Sequence, residues 1–322
     1  MSAATDIMRV ARPRTSPGWG TAVVGICLLF ACAAPLGLNG YGLYLLTLTE
    51  IFVLVALGLN LLTGYAGQIS LCHASFFGVG AYATAILTQR AGLPYLLSLL
   101  LGALLTTAIG ALAAVPALRL KNIYLAIATL GFGVVLQKIT FEWRSLTGGG
   151  GGLALTPPSI AGYELGAVGL YYLTLILMTV GLFGARNVSR GRTGRALLVI
   201  KDSEIAAGSL GIHASRYEVT AFAISAFYAA IAGGLFAYLV RYINPESFGV
   251  GLSISFLSMV VIGGLGTIGG SILGAFFYVI VPELLRGIKD APGLVFGLLL
   301  VIVMVFMPQG LWGMLRRLGR RS

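Results

Sequence analysis

The sequence predicts an all-α, polytopic membrane protein with about ten transmembrane helices. Of its 322 residues, 58% are hydrophobic and only 10% are charged, whereas a soluble domain carries roughly 25% charged residues to cover its surface. The apolar residues also form long runs without Asp, Glu, Lys or Arg, such as 51–89 and 247–282. Because a membrane-crossing helix needs only about 20 apolar residues, the surface of the folded chain is expected to face lipid.

Ten segments have the length and hydrophobicity of a membrane-crossing helix. They are residues 19–38, 41–62, 66–88, 94–116, 121–141, 167–185, 217–240, 247–264, 267–286 and 292–311. The first ends near an Ala-x-Ala sequence, which is typical of a cleaved signal peptide. The polar stretch before it is long and the remaining chain is all membrane, so we expect this helix to be retained.

The positive charges predict the orientation of the bundle. If residues 1–18 form a cytoplasmic tail, fifteen of the 21 lysines and arginines fall on the cytoplasmic side, including a basic tail at 312–322. The outer segments carry five acids and are nearly neutral. This is the positive-inside pattern, and it places both termini of a 19–311 membrane domain in the cytoplasm. The net charge of +11 is thus a membrane signal, since no compact basic domain suggests nucleic-acid binding.

Two hydrophilic loops interrupt the apolar pattern. The outer loop, residues 142–166, contains five consecutive glycines and a Pro-Pro pair, which predict a flexible connection facing water. The inner loop, residues 186–216, is the largest cytoplasmic piece and is long enough for one or two short helices.

The sequence contains no motif for catalysis or for a bound cofactor. It has no GxxxxGK[ST] phosphate-binding loop and no HExxH or Cys/His cluster, so we predict no catalytic residue, no metal site and no cofactor. Residues 264–269 match GxGxxG. Apolar membrane segments flank this motif, and we therefore interpret it as a tight turn between two helices rather than a dinucleotide site.

A cluster of polar residues predicts an interrupted helix beside a translocation pathway. Irregular backbone within a membrane is tolerated only beside protein or a cavity, and Gly64 and Gly67 lie within the cluster. A buried acid such as Glu50 must also face protein, water or a partner; it either lines the pathway or is hydrogen-bonded inside the bundle. The predicted pathway residues are Glu50, Asn60, Gln68, Ser70, His73 and Thr129.

Small residues at four-residue spacing predict close helix packing. This spacing puts them on one helix face, where they let two backbones approach closely in lipid. The predicted packing glycines are Gly78, Gly233, Gly266, Gly270 and Gly274.

The inner loop contains the most specific pattern. Asp202 or Ser203 can cap a short helix that Gly211 ends, and such a helix at the cytoplasmic surface is suited to docking on another protein. Alternatively, the loop is an ordinary basic segment beside anionic lipid. The predicted docking residues are Arg195, Lys201, Asp202, Glu204, Ala206, Ala207 and Gly211.

This segment resembles the coupling region of permeases in ATP-binding-cassette (ABC) importers. Ala206, Ala207 and Gly211 match the spacing of the EAA-x3-G signature, although Glu204 sits one position early. The stretches ALGLNLLTGYAG (56–67), ASFFGVGAY (74–82), LRLKNIYLAIATLGFG (118–133) and VIGGLGTIGGSILG (261–274) are similar to the M-type permease subunit of branched-chain amino-acid importers.

The resemblance implies the ABC importer permease fold with a cytoplasmic coupling helix, in a bacterial inner membrane. It implies that the chain pairs with an H-type permease, two cytoplasmic ATPase subunits and a periplasmic solute-binding protein. The substrate would be a branched-chain or related amino acid. The alternatives are an ABC permease for urea or amides and a stand-alone secondary transporter. A secondary transporter is disfavoured because Glu50 alone is a poor ion-coupling group.

Overall fold

The computed structural model describes residues 31–117, 123–160, 163–285 and 310–318, apart from residue 36, together with residues 120, 297 and 301. Most of the predicted helix 19–38 and nearly all of 292–311 fall outside the described residues. The chain divides into two compact units, Met1–Leu43 and Tyr44–Ser322, and every predicted site residue belongs to the second.

The described residues are mainly helical. The helices are α1 Gly40–Asn60, α2 His73–Gln89, α3 Tyr95–Ala117, α4 Ile123–Glu142, α5 Arg144–Thr147, α6 Ala167–Arg190, α7 Arg192–Asp202, α8 Glu204–Ser209, α9 Ala214–Val240, α10 Val250–Gly263, α11 Ile268–Leu284 and α12 Gly310–Leu318. The strands are β1 Leu153–Ala154, β2 Ser159–Ile160, β3 Tyr163–Glu164 and β4 Tyr242–Ile243. Five described helices are long and apolar enough to cross a membrane, namely Gly40–Tyr65, Tyr95–Val115, Ile123–Glu142, Ala167–Arg190 and Ala214–Val240.

Each of the eight central predicted segments contains a helix, which confirms the all-α membrane fold. Two predicted helix boundaries are wrong. The segment predicted at 66–88 becomes helical only at His73, because residues 66–72 leave the helix. Helix α6 continues past its predicted end at 185 to Arg190. Helix α12 covers Gly310–Leu318 and so includes much of the segment predicted as a basic tail, 312–322.

Helix α9 forms the centre of the bundle, and its small residues let α2 and α3 pack directly against it. A Cβ on Gly233 would overlap the carbonyl oxygen of Phe77 in α2. In the reverse direction, a Cβ on Gly80 would overlap the backbone of Ala230. Without a hydrophobic drive between helices in lipid, such close backbone approach supplies the dispersion contacts that hold the bundle together.

The described residues of the loop at 142–166 include α5 and strands β1 to β3, which the sequence analysis did not predict. Strand β1 pairs with β4, with Leu153 opposite Ile243, while β2 and β3 form a hairpin. The hydroxyl of Tyr242 donates to the carbonyl of Gly151 at 3.0 Å. Gly148 and Gly152 adopt φ of 77° and 66°, which other residues rarely adopt, and thereby allow the tight turns of the loop.

Contacts in the bundle agree with the prediction that successive loops lie on alternate sides of the membrane. The outer loop pairs with residues 242–243, which are also predicted to be outer. At the opposite end, α7 meets residue 64, and residue 60 binds the turn at 264–267. We call these the outer end and the inner end. The charge pattern predicts that the inner end faces the cytoplasm.

Candidate site at the helix break

A break between α1 and α2 lies at the inner end. Helix α1 continues as one wide π-helical turn, Leu61–Tyr65, and the chain then runs without helix to Cys72. The freed amides of this segment find partners on neighbouring helices. The amide of Leu71 donates to Thr129 Oγ1 at 3.1 Å, and that of Ala74 donates to Ser253 Oγ at 3.0 Å. These bonds satisfy backbone groups that would be costly to bury unpaired.

His73 begins α2 and is fully buried in a chain of hydrogen bonds. Ser225 donates to the carbonyl of Gly58 at 2.7 Å, so its oxygen accepts from His73 Nε2 at 2.6 Å. For the neutral imidazole expected in a site without exposed surface, Nδ1 then accepts from Ser70 Oγ at 3.1 Å. Ser70 in turn accepts from Cys72 Sγ at 3.3 Å. The network has one consistent direction and ends on a backbone carbonyl.

Asn60 binds the turn that joins α10 to α11. Its Oδ1 accepts from the amide of Gly266 at 2.7 Å. Its Nδ2 donates to Thr267 O at 2.8 Å and to Ser271 Oγ at 2.9 Å. Asn60 is only 2% exposed, and both the oxygen and the nitrogen of its side-chain amide are hydrogen-bonded. Asn60 fixes the turn to the end of α1.

Two other predicted pathway residues keep a buried polar atom without a partner. Glu50 accepts a hydrogen bond from Tyr171, but its Oε2 has none, and the side chain is 7% exposed. Gln68 Oε1, at the break, also lacks a partner and the residue is 9% exposed. Thr63 belongs to the same polar cluster of the sequence, and its buried Oγ1 also lacks a partner among the described residues.

The structure therefore separates the six predicted pathway residues into two kinds. Asn60, Ser70, His73 and Thr129 use their polar groups to hold the break together. Glu50 and Gln68 each keep a polar atom without a hydrogen bond to the part of the chain that the structure describes. A small cavity between α2, α4 and residues 245–248 contains none of the six in its lining. Their role in a pathway stays a prediction.

Three of the five predicted packing glycines, Gly233, Gly270 and Gly274, lie where backbones meet. A Cβ on Gly274 would overlap the carbonyl oxygen of Met259, and one on Gly270 would lie 2.6 Å from that of Gly264. Gly78 faces the ring of Phe248, with its Cβ position 2.8 Å from the nearest ring atom. Gly266 is different: it lies in the turn before α11, with φ of 72°, and not on a helix face. The GxGxxG motif is thus a turn between two helices, as predicted.

The inner loop folds into two helices, α7 and α8. Ser203, and not Asp202, caps α8, because its Oγ accepts from the amide of Ala206 at 3.2 Å. The helix ends at Gly211, whose φ of 74° lets the amide of Ile212 reach back to Ala207 O at 2.9 Å. The predicted docking residues Arg195, Lys201, Asp202, Glu204, Ala206 and Gly211 are exposed, whereas Ala207 is buried.

Two apolar side chains of this region escaped the sequence reasoning. Ile205 is 89% exposed and Leu210 is 69% exposed, at opposite ends of the short helix α8. Their exposure follows from the position of Ala207, which turns toward the bundle and leaves its neighbours outside. The sequence did carry a signal for these two residues, because both are apolar and lie in a loop predicted to be outside the membrane.

The family model for the branched-chain amino acid transport system / permease component matches residues 41–308. The match covers most of the chain. The chain belongs to this family. It is accordingly a permease component and a multi-pass protein of the bacterial inner membrane.

Curated relatives give the same result. The permease is 34% identical, over 90% of its length and 74% of the relative, to the high-affinity branched-chain amino acid transport system permease protein LivM of Salmonella typhimurium. It is 30% identical to the autoinducer 2 import system permease protein LsrC of an Enterobacter species, over 71% and 66% of the two chains. It is 26% identical to BraD of Pseudomonas aeruginosa, another high-affinity branched-chain amino acid permease, over 83% and 93%.

One solved structure resembles the permease weakly. PsaBC from Streptococcus pneumoniae in complex with Fab superposes with a TM-score of 0.45 and 13% identity, covering 87% of this chain and 94% of that chain. This level is too low to establish a shared fold. Family membership itself implies that the permease works with ATPase subunits and a solute-binding protein.

Proposed function

We propose that this permease is the M-type subunit of an ABC importer for branched-chain or closely related amino acids. It pairs with an H-type permease, two cytoplasmic ATPases and a periplasmic solute-binding protein, and both its termini lie in the cytoplasm. The family match over residues 41–308 carries this proposal. The names of the relatives support the substrate class.

The docking helix, which we define as α8 with its capping residues 203–211, supports the ATPase partnership. Its exposed surface combines the apolar Ile205 and Leu210 with the charged Glu204. Apolar side chains this exposed on a segment outside the membrane indicate a surface that a partner covers. Apolar anchors surrounded by polar groups are typical of protein interfaces.

The burial of the break supports a pathway between two permeases. The polar groups of Asn60, Ser70 and His73 are engaged within the chain, so they do not line an internal channel in this conformation. A pathway formed at the interface with the H-type subunit does not require one. ATP-driven closure of the ATPases would then shift the bundle between two packings.

The test is to purify the tagged permease from its native membranes and reconstitute it. We expect two ATPases and a second permease to co-purify, and radiolabelled leucine to enter liposomes only with ATP and the binding protein present. Uptake that needs no ATP and collapses when ion gradients are dissipated would identify a secondary transporter instead. Competition by unlabelled isoleucine, valine and urea defines the substrate class.

A variant of the docking helix tests the ATPase interface directly. Ile205→Asp replaces an exposed apolar anchor with a charge, and loss of an interface hot spot costs about 2 kcal/mol or more. We expect roughly thirtyfold weaker retention of the ATPases during purification. The matched control is Tyr163→Asp, because Tyr163 is 82% exposed at the outer end. Equal retention in both variants would refute docking through α8.

A further inference from the structure

The side chain of Lys201 makes a contact that docking to an ATPase does not explain. Lys201 lies in the last turn of α7, two residues before the cap of the docking helix. Its Nζ donates a 2.9 Å hydrogen bond to the carbonyl oxygen of Gly64, in the break between α1 and α2. The ammonium group therefore points toward the membrane bundle and away from any partner beneath it.

Gly64 O needs a donor from outside its own helix. The π-helical turn ends at Tyr65, and the amides that follow bond elsewhere: Ala66 to Leu61 O and Gln68 to Leu62 O. A carbonyl at a helix C-terminus carries part of the negative end of the helix dipole, which a lysine ammonium stabilises. Lys201 thus acts as a C-terminal cap supplied by another helix.

The backbone beside this bond leaves room for the side chain of Lys201. Gly67 has φ of 73°, and a Cβ there would lie 2.9 Å from Lys201 Cγ. Deeper in the bundle, Leu197 of α7 packs in a buried cluster with Leu62, Ala66 and Phe222. Helix α7 is therefore held to the break by an apolar contact as well as by the charged one.

The other face of Gly64 meets the start of α11. A Cβ on Gly64 would overlap both Asn60 Oδ1 and the amide of Gly266. Asn60 holds that turn through Gly266, Thr267 and Ser271. The contacts thus run without a gap from the docking helix, through Lys201 and Gly64, to the turn that begins α11.

We propose that Lys201 is a positioning residue that couples movement of the docking helix to the helix break. When an ATPase displaces α8, the Lys201–Gly64 bond carries the displacement to the end of α1 and, through Asn60, to the α10–α11 turn. The inference rests on the proposed function, since it needs an ATPase that moves α8. It assigns Lys201 to transmission, and not to the docking surface.

The test compares Lys201→Met with Arg192→Met in the intact reconstituted complex. Methionine keeps the length of the lysine but donates no hydrogen bond, while Arg192 is an exposed cation at the start of the same helix. Loss of a charge-assisted bond is expected to lower leucine uptake roughly tenfold in Lys201→Met. ATP hydrolysis and ATPase retention should stay within about twofold of the parent, and Lys201→Arg, which keeps a donor, should restore most of the uptake.

Four outcomes overturn the inference. Uptake equal to that of Arg192→Met would show that the bond carries no coupling, and loss of ATPases from the complex would make Lys201 a docking residue. Uptake and hydrolysis that fall together would also contradict transmission. If Lys201→Met fails to accumulate in membranes, Lys201→Gln undergoes the same comparison, and failure of both would make Lys201 a folding residue. A parent complex without ATP-dependent uptake refutes the proposed function itself, independently of these variants.

Discussion

At the scale of single residues, buried polar groups are arranged so that few donors remain unpaired. Ser225 illustrates this. It is fully buried in α9, donates to Gly58 O on α1 and accepts from His73 on α2, and so joins three helices. In a membrane bundle such a hydroxyl replaces the water that a soluble protein would use.

Removing that hydroxyl should destabilise the bundle without changing the substrate. Ser225→Ala leaves His73 Nε2 without its partner and removes the bond to Gly58 O, which costs about 1–3 kcal/mol. We expect a lower midpoint temperature for aggregation of the detergent-solubilised chain. Thr220→Ala is the control, because its exposed hydroxyl bonds only to Arg216 O within α9. A normal midpoint in Ser225→Ala would contradict the network, whereas a changed competition profile for amino acids would indicate a direct role in the pathway.

At the scale of elements, the docking helix depends on its caps. Six residues are too few to form a stable isolated helix, so Ser203 at one end and Gly211 at the other set its boundaries. The buried Ala207 attaches it to the bundle.

Loss of the N-terminal cap should loosen α8 locally. Ser203→Ala removes an interaction worth about 1 kcal/mol, so we expect roughly fivefold faster hydrogen exchange of the amides of residues 204–209. Ser209→Ala is the matched control, since its hydroxyl donates to Ala206 O and accepts from no backbone amide of the first turn. Equal exchange in the two variants would mean that packing alone holds the helix.

Secondary-structure elements were predictable from the sequence where a local pattern of residues determines them. Apolar runs located the long helices, and the cap pattern located α8 and its end at Gly211. The break at 61–72 was indicated by Gly64 and Gly67, but its partners were not, because Thr129, Ser253 and Lys201 approach it from distant parts of the chain. The pairing of β1 with β4 joins residues 90 apart, and two-residue strands have no periodicity to detect. Long-range contacts therefore account for what the sequence did not reveal.

At the scale of the whole molecule, the two ends of the bundle are built differently. The outer end is joined by backbone pairing between residues 153–154 and 242–243, in addition to side-chain bonds such as that from Tyr242 to Gly151 O. The inner end is joined by side chains, chiefly Asn60 and Lys201. Side-chain bonds can be exchanged during a conformational change more readily than a paired backbone, so the inner end is the better candidate for movement.

The orientation of the bundle is open to a labelling test. With Cys27 and Cys32 replaced by serine, we introduce Ser159→Cys at the outer end and Ser209→Cys at the inner end; both positions are exposed. The positive-inside pattern predicts that an impermeant maleimide labels position 159 in intact cells with a permeable outer membrane. Position 209 should react only after the inner membrane is opened. The opposite result would invert the topology and remove the docking helix from the ATPases.

The last helix has a practical consequence for handling the protein. Gly310 lies so close to the turn at 264–267 that a Cβ on it would be 2.5 Å from Gly264 Cα, and the ring of Trp312 covers Gly269. A chain shortened at residue 309 would therefore expose the backbone of this turn, which is hydrogen-bonded to Asn60 on its other side. Purification tags belong beyond α12, and trimming the C-terminus to aid crystallisation should stop short of this helix.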